Sequence, residues 1–173
     1  MVRRSYLTSD AVRNFVFGVE DSLVSTVGFV SGIATSDVAT ETILLSGIIL
    51  ILVEAFSMAA GSLLSDNSAD EFARKGVLKL SKSLFGAGVM FFSYIISGVL
   101  VIAPYMFWEH AVALQLSIGI SLCALVLLGT VSARVSGVSV VSKSITMVVV
   151  GGIAVAIGII IGNIADKSMR HKI

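Results

Sequence analysis

The chain has 173 residues, of which 56% are hydrophobic and only 13% are charged, and its mean hydropathy is +1.01. A soluble domain keeps about 25% charged residues, so this composition excludes a soluble protein and predicts an integral membrane protein. The formal net charge of +1 excludes a strongly basic surface, and we expect no nucleic-acid partner.

Five apolar stretches are long enough to cross a membrane. A transmembrane helix needs about 20 predominantly apolar residues to span a ~30 Å hydrocarbon layer. Reading between the polar breaks places such helices at residues 15–34, 43–64, 84–107, 111–131 and 145–165. The sequence therefore predicts an all-α integral membrane protein in which residues 1–173 form a single transmembrane domain.

The first stretch, FVFGVEDSLVSTVGFVSGIA (residues 15–34), carries Glu20 and Asp21 well inside its ends. A carboxylate near the middle of a bilayer costs roughly 2.5 to 3.5 kcal/mol on insertion scales, so lipid alone is an unfavourable surrounding for this helix. We therefore expect a site for an ion or a proton to face these two acids. The stretch is also too long and too acidic to be the core of a cleaved signal peptide.

The second stretch holds a third acid, Glu54, near its centre and Met58 one turn later on the same helical face. The first two helices run in opposite directions across the membrane. Asp21 and Met58 should therefore share one depth, on the cytoplasmic side of the centre, with Glu54 about one turn deeper.

Carboxylate oxygens and a thioether sulfur at one depth form a candidate ligand set for a divalent cation. Oxygen donors alone suit Mg²⁺, Ca²⁺ or Mn²⁺, and a soft sulfur shifts the preference towards softer ions such as Fe²⁺. For Met58, plain helix packing remains an open alternative. The acids could also carry only protons, and metal and protons would then compete for the same oxygens. Three hydroxyls are expected nearby, those of Ser22, Ser25 and Ser57.

The basic residues are distributed unevenly among the connections. Nine lie before the first span, between the second and third, or between the fourth and fifth, and three follow the fifth. By the positive-inside rule this asymmetry predicts a cytoplasmic N-terminus, and the odd number of spans places the C-terminus on the other side. The longest connection, residues 65–83, is predicted to be a short cytoplasmic loop that could hold an interfacial helix.

The third and fourth spans are separated by very few residues, so we expect them to be antiparallel neighbours. Pro104 lies near the end of the third span, where a kink or a stop is tolerated. Tyr105, Phe107 and Trp108 cluster beside it and are typical of the aromatic belt at a membrane surface.

Two spans carry stripes of small residues at helical spacing. The stripe in the first span includes Asp21, Gly28 and Gly32, and the stripe in the fifth includes Gly158 and Gly162. Small residues let helix backbones approach closely in lipid, so both stripes predict tight helix contacts. Because the first stripe also contains an acid, packing alone is an incomplete account of it.

Several segments resemble the vacuolar iron transporter family. The first span, residues 15–34, resembles that family's first helix, and SMAAGSLLS (57–65) is similar to its second-helix SMA-x-GE-x-x-S signature. SGVLVIAPYMF (97–107) resembles its third-helix stretch from glycine to proline. LLGTVSARVSG (127–137) and VVVGGIAVAIGIIIGNI (148–164) resemble its end, so the likeness covers almost the whole chain in order.

The resemblance implies a five-helix homodimer that exports Fe²⁺ and related divalent ions (Mn²⁺, Co²⁺ or Zn²⁺) from the cytosol in exchange for protons. Matched position by position, Asp21 corresponds to the family's first-helix metal and proton carboxylate, and Met58 to its second-helix methionine. Two features depart from the family. Ser62 stands where SMA-x-GE has its glutamate, while Glu54 supplies an acid one turn before the methionine. The family's Glu- and Met-rich cytosolic domain is reduced to residues 65–83.

Together these observations predict a proton-coupled divalent metal exporter. Asp21, Glu54 and Met58 would bind the ion, and Glu20 would tune the site or relay protons. The alternative is a non-transporting membrane assembly or sensor module whose buried acids share protons. No enzyme motif is present, so we expect neither an enzyme nor a permanently bound cofactor. The expected partners are divalent cations, membrane lipid and a second copy of the chain, and the expected location is a prokaryotic inner membrane.

Overall fold

The computed structural model of the protein describes residues 2–36, 38–74 and 80–170, and these ranges form five long helices without a strand. The helices are α1 (Val2–Ala34), α2 (Thr40–Arg74), α3 (Leu80–Ile102), α4 (His110–Ser136) and α5 (Val140–Arg170). Each contains a segment that is long and apolar enough to cross a membrane. The predicted all-α class and the five predicted spans are confirmed.

The second helix extends well beyond its apolar part. α2 continues without a break to Arg74, so the predicted loop at residues 65–83 is helical over its first half. Its sequence allows this, because no glycine or proline interrupts the stretch between the apolar span and Arg74. Residues 75–79, which include Val77 and Leu78 of the predicted interfacial helix, lie outside the described residues.

α1 occupies the centre of the bundle. It packs most extensively against α3 and α5, and less against α4 and α2. One cluster of buried side chains joins it to α2 and α3 around Ile51 and Tyr94, and a second joins it to α4 and α5 around Leu125 and Met147. The outer faces of α2, α4 and α5 carry many exposed apolar side chains, as lipid-facing surfaces do.

The two predicted stripes of small residues pack against each other. Gly28 of α1 lies directly on the backbone of Ala154 in α5. A Cβ atom on Gly158 would collide with the carbonyl oxygen of Gly28, and one on Gly162 would collide with that of Gly32. Glycine at these positions therefore permits a close approach of two helix backbones. The predicted tight contacts are present, and the structure shows that they are one contact between α1 and α5.

The connection between α3 and α4 differs in part from the prediction. Pro104 opens a 3₁₀ turn, Ala103–Met106, directly after α3, as expected for a proline at a helix end. Phe107 and Trp108 are exposed, as an aromatic belt requires, and their rings stack edge to face with centroids 5.8 Å apart. The prediction is wrong for Tyr105, which is only 3% exposed because its ring packs into the core between the helices.

α3 and α4 contact each other, but less than either contacts its other neighbouring α-helices. α4 packs mainly against α5, while α3 packs mainly against α1 and α2. The predicted pair of neighbours is therefore present as a minor contact of the bundle. α4 ends at Gly137, whose φ of 70° lies in the left-handed region that glycine tolerates best.

Candidate functional site

Two of the predicted acids, Asp21 and Glu54, lie on neighbouring helices of the bundle, and Glu20 adjoins Asp21 in the sequence. Glu20 and Asp21 lie on α1, Glu54 lies on α2, and all three side chains are half-buried. Asp21 is close enough to both Glu54 and Glu20 for their charges to interact. Like charges at short range repel one another, and a bound cation or a proton relieves that repulsion.

Two hydroxyl groups converge on a single oxygen of Glu54. The Oγ of Ser25 on α1 donates to Oε2 of Glu54 at 3.0 Å, and the phenol of Tyr94 on α3 donates to the same oxygen. The two hydroxyl oxygens are themselves 2.7 Å apart. Three helices are thus joined around one carboxylate oxygen by a ring of three contacts, which we call the hydroxyl ring of Ser25, Tyr94 and Glu54.

Tyr94 belongs to the hydroxyl ring and was not among the residues predicted from the sequence. Its side chain is completely buried, and it lies near the middle of the third span. Its position at mid-depth is visible in the sequence and could have indicated a buried polar contact. Membrane tyrosines gather at the two interfaces, where the hydroxyl reaches water, so a tyrosine at mid-depth needs a polar partner inside the protein.

The three predicted hydroxyls have different surroundings. Ser25 belongs to the hydroxyl ring, as expected. Ser22 is fully buried and donates instead to the backbone carbonyl oxygen of Tyr94 at 2.6 Å, which fixes α1 against α3. Ser57 is exposed on the outer surface of α2, so the expectation that it lies at the site is wrong.

The register between α1 and α2 places Asp21 and Met58 at one level. The contact between Ser25 and Glu54 fixes this register, and one turn back along α1 corresponds to one turn forward along α2. Met58 is half-buried and packs against the edge of the core cluster around Tyr94. The predicted depth relation between Asp21 and Met58 therefore agrees with the structure. At this position Met58 can serve as an ion ligand or as a packing residue.

The single chain does not enclose an ion with acids alone. Within the described residues, no three His, Cys, Asp or Glu side chains come together as a group that could hold a metal ion. Asp21 and Glu54 would need further donors to complete a coordination shell. The sulfur of Met58, which lies at the level of Asp21, is one such donor.

A separate set of polar contacts ties the helices together about two turns from Asp21, towards the start of α1. The guanidinium of Arg13 forms an ion pair with Asp66 at 3.0 Å, and the amide of Asn14 donates to Ser62 Oγ at 3.0 Å. Asn14 is only 1% exposed, and the missing side chain of Gly86 on α3 makes room for its amide. Ser62 therefore serves here as a hydrogen-bond partner for α1.

On the other side of Ser25, α1 and α5 form an open apolar groove of about 620 Å³. Its walls include Val24 and Phe29 of α1 and Ile157 and Ile161 of α5, and Ser25 also lines it. One flank of the acid site therefore borders a surface of the molecule that is open in the single chain.

Comparison with known proteins agrees with this architecture. The model of the VIT family matches residues 12–85 and 78–163, which together run from α1 to α5. No curated protein matches the chain. Five spanning helices together with this match over most of the chain show a multi-pass membrane protein that belongs to the VIT family, the vacuolar iron transporter family, whose members carry metal ions across membranes.

Proposed function

We propose that the protein is a proton-coupled exporter that moves divalent metal ions, Fe²⁺ or Mn²⁺, out of the cytosol. The observation that carries the proposal is the hydrogen bond between Ser25 of α1 and Glu54 of α2, since Asp21 precedes Ser25 by one turn and Met58 follows Glu54 by one turn. Carboxylate oxygens attract divalent cations, and a thioether favours the softer ones. Family membership supports the transport of metal ions in general.

Protons are the proposed counter-ion because they compete for the same oxygens. The hydroxyl ring has three contacts, but its two hydroxyls supply only two hydrogens. A proton on Oε2 of Glu54 would supply the third: Oε2 would then donate to Ser25, Ser25 to Tyr94, and Tyr94 to Oε2. A cation bound to the same carboxylate would displace that proton and leave Oε2 as an acceptor for both hydroxyls. Binding of one ion then opposes binding of the other, as an antiporter requires. Glu20, nearer the start of α1, would relay protons between Asp21 and the cytoplasmic side.

We also propose a homodimer whose N-terminus is cytoplasmic. Asp21 and Glu54 are only half-buried in the single chain, and a carboxylate that faces lipid near the bilayer centre costs roughly 2.5 to 3.5 kcal/mol. A second copy that covers this flank of α1 would remove that cost and bring further ligands to the ion. The asymmetry of the basic residues supports the orientation.

Asp21→Ala tests the proposed function in proteoliposomes that hold an ion-sensitive dye. The wild type should quench the dye on addition of Fe²⁺ or Mn²⁺, and more strongly with a pH gradient. We expect Asp21→Ala to reduce this flux at least about tenfold, since it removes a charged ligand from a low-dielectric site. Glu109→Ala, which removes an exposed acid from the turn before α4, is the matched control and should leave the flux unchanged. Full activity of Asp21→Ala would rule out the assignment.

The second candidate is a non-transporting assembly or sensor module. It is favoured by the hydroxyl ring, which joins three helices and would stabilise packing without any ion. This function predicts no flux in the wild type and a dimer that dissociates on Asp21→Asn. A transporter with the same substitution should stay dimeric but inactive. Size-exclusion chromatography with light scattering, run on the protein used for the flux assay, separates the two.

A further inference from the structure

The two oxygens of Glu54 have unequal surroundings. In the ionised carboxylate that binds a cation, Oε2 accepts hydrogen bonds from Ser25 and Tyr94, whereas no hydrogen bond reaches Oε1 from any residue that the structure describes. Each carboxylate oxygen offers about two lone-pair directions. Both directions of Oε2 are therefore taken, and Oε1 is the oxygen left for a cation.

We propose that Tyr94 is a positioning residue that makes Glu54 bind the transported ion through one oxygen only, and that it thereby sets a preference for Mn²⁺ and Fe²⁺ over Ca²⁺. The proposal rests on the proposed function, because it assumes that Glu54 is an ion ligand. Tyr94 itself does not touch the ion. It acts by occupying the second oxygen of the carboxylate from a fully buried position on α3.

One-oxygen binding discriminates between ions because they need different numbers of donors. Ca²⁺ takes 6–8 oxygen ligands and commonly uses both oxygens of a carboxylate. Smaller first-row ions complete their shells with fewer donors and also accept the sulfur of a methionine. A site that has few carboxylates and offers only one oxygen of Glu54 therefore lowers the affinity for Ca²⁺ more than the affinity for Mn²⁺ or Fe²⁺.

The orientation of Glu54 is held from two helices at once. Ser25 approaches Oε2 from α1 and Tyr94 approaches it from α3, and the bond of Ser22 to the Tyr94 carbonyl keeps these two helices in register. Rotation of the carboxylate to offer both oxygens would break contacts to both helices. Charge-assisted hydrogen bonds of this kind are the stronger class, so the constraint should persist when an ion binds.

Tyr94→Phe tests the proposal by calorimetric titration of the purified protein with MnCl₂ and, separately, with CaCl₂. Phenylalanine keeps the ring and removes only the hydroxyl, which frees one lone-pair direction of Oε2. We expect Ca²⁺ affinity to rise relative to Mn²⁺ affinity by about tenfold, a difference of about 1.4 kcal/mol. Ser25→Ala removes the other donor to the same oxygen and should change the ratio in the same direction.

Tyr105→Phe is the matched control. It also removes a hydroxyl from a buried tyrosine, but this hydroxyl has no hydrogen-bond partner among the described residues, and Tyr105 follows Tyr94 by about three helical turns. Both affinities should stay at their wild-type values. A merely structural role of Tyr94 would weaken Mn²⁺ and Ca²⁺ by the same factor and leave the ratio unchanged.

The outcomes separate this inference from the function on which it rests. A wild-type protein that binds neither ion would overturn both. Mn²⁺ binding that depends on Asp21, together with an unchanged ratio in Tyr94→Phe, would overturn the role of Tyr94 and leave the proposed exporter intact. If Tyr94→Phe does not fold, the ratio in Ser25→Ala decides, and an unchanged ratio there contradicts the proposal.

Discussion

Met58 packs against the core at a position where its sulfur is also proposed to bind the ion. Its sulfur is at the depth of Asp21, and its chain also fills space at the edge of the core cluster around Tyr94. Methionine suits both roles, because it is flexible enough to pack irregular gaps and its sulfur is a soft ligand. The two roles predict different responses when the sulfur is removed and the volume is kept.

For Met58→Leu we expect Fe²⁺ to compete with Mn²⁺ in the flux assay about tenfold less effectively than in the wild type. Competition of Mg²⁺ with Mn²⁺ should stay nearly constant, since Mg²⁺ takes oxygen ligands. The folded state should lose less than about 1.5 kcal/mol, because leucine conserves the volume. Met147→Leu is the control, since Met147 is buried in the other core cluster. An equal change for both ions would mean that Met58 only packs.

At the scale of elements, the contact between α1 and α5 is the tightest backbone approach that the glycine positions reveal. Beside this contact lies the open groove between α1 and α5, which Ser25 and Phe29 both line. Because α1 uses Gly28 and Gly32 within its own chain, these glycines do not supply a GxxxG contact to a second copy. The proposed dimer would instead use the neighbouring face of α1, where the acids lie.

Gly158→Ala should lower the thermal unfolding midpoint by several degrees, because its methyl group collides with the backbone of Gly28 and overpacking typically costs 1–3 kcal/mol. Gly152→Ala makes the same change on the same helix at a site with nothing within 4 Å. It should leave the midpoint unchanged or raise it slightly, since alanine favours helix by roughly 0.5–1 kcal/mol. Thermal melts in one detergent compare the two, and equal shifts would contradict the close packing.

At the scale of the whole molecule, the orientation of the five helices decides whether the proposed transport is export. Arginine and lysine are retained on the cytoplasmic side of a membrane, and the connection between α1 and α2 has neither. An ion that enters near the start of α1 would then leave near the α1–α2 connection. The reversed orientation would convert the same site into an importer.

Cysteine labelling of intact cells tests this orientation in a Cys123→Ala background. Ala39→Cys, in the α1–α2 connection, should react with a membrane-impermeant maleimide, and Ser139→Cys, in the α4–α5 connection, should react only after lysis. Both positions are exposed, so accessibility within the protein does not distinguish them. If only Ser139→Cys is labelled in intact cells, the N-terminus lies outside the cytoplasm, and the proposed direction of transport is reversed.

Much of the architecture follows from local properties of the chain. The cost of placing polar groups in lipid acts on every residue of a span, so composition and run length predicted the five helices. The same cost makes an acid inside an apolar run conspicuous, and Asp21 and Glu54 are therefore predicted as site residues from the sequence. The small-residue stripes were visible for a related reason, because close backbone contact requires small side chains at helical spacing.

By itself, then, the sequence determined that this is a five-helix membrane protein with acids in its first two helices, because the transfer of each residue from water to lipid depends on that residue and its near neighbours. Only the tertiary structure decided which distant groups meet. Tyr94 reaches Glu54 across 40 positions of the chain, the glycines of α1 meet those of α5, and Tyr105 turns into the core. Such pairings depend on how whole helices pack, and a tyrosine or a glycine in an apolar run does not reveal its partner.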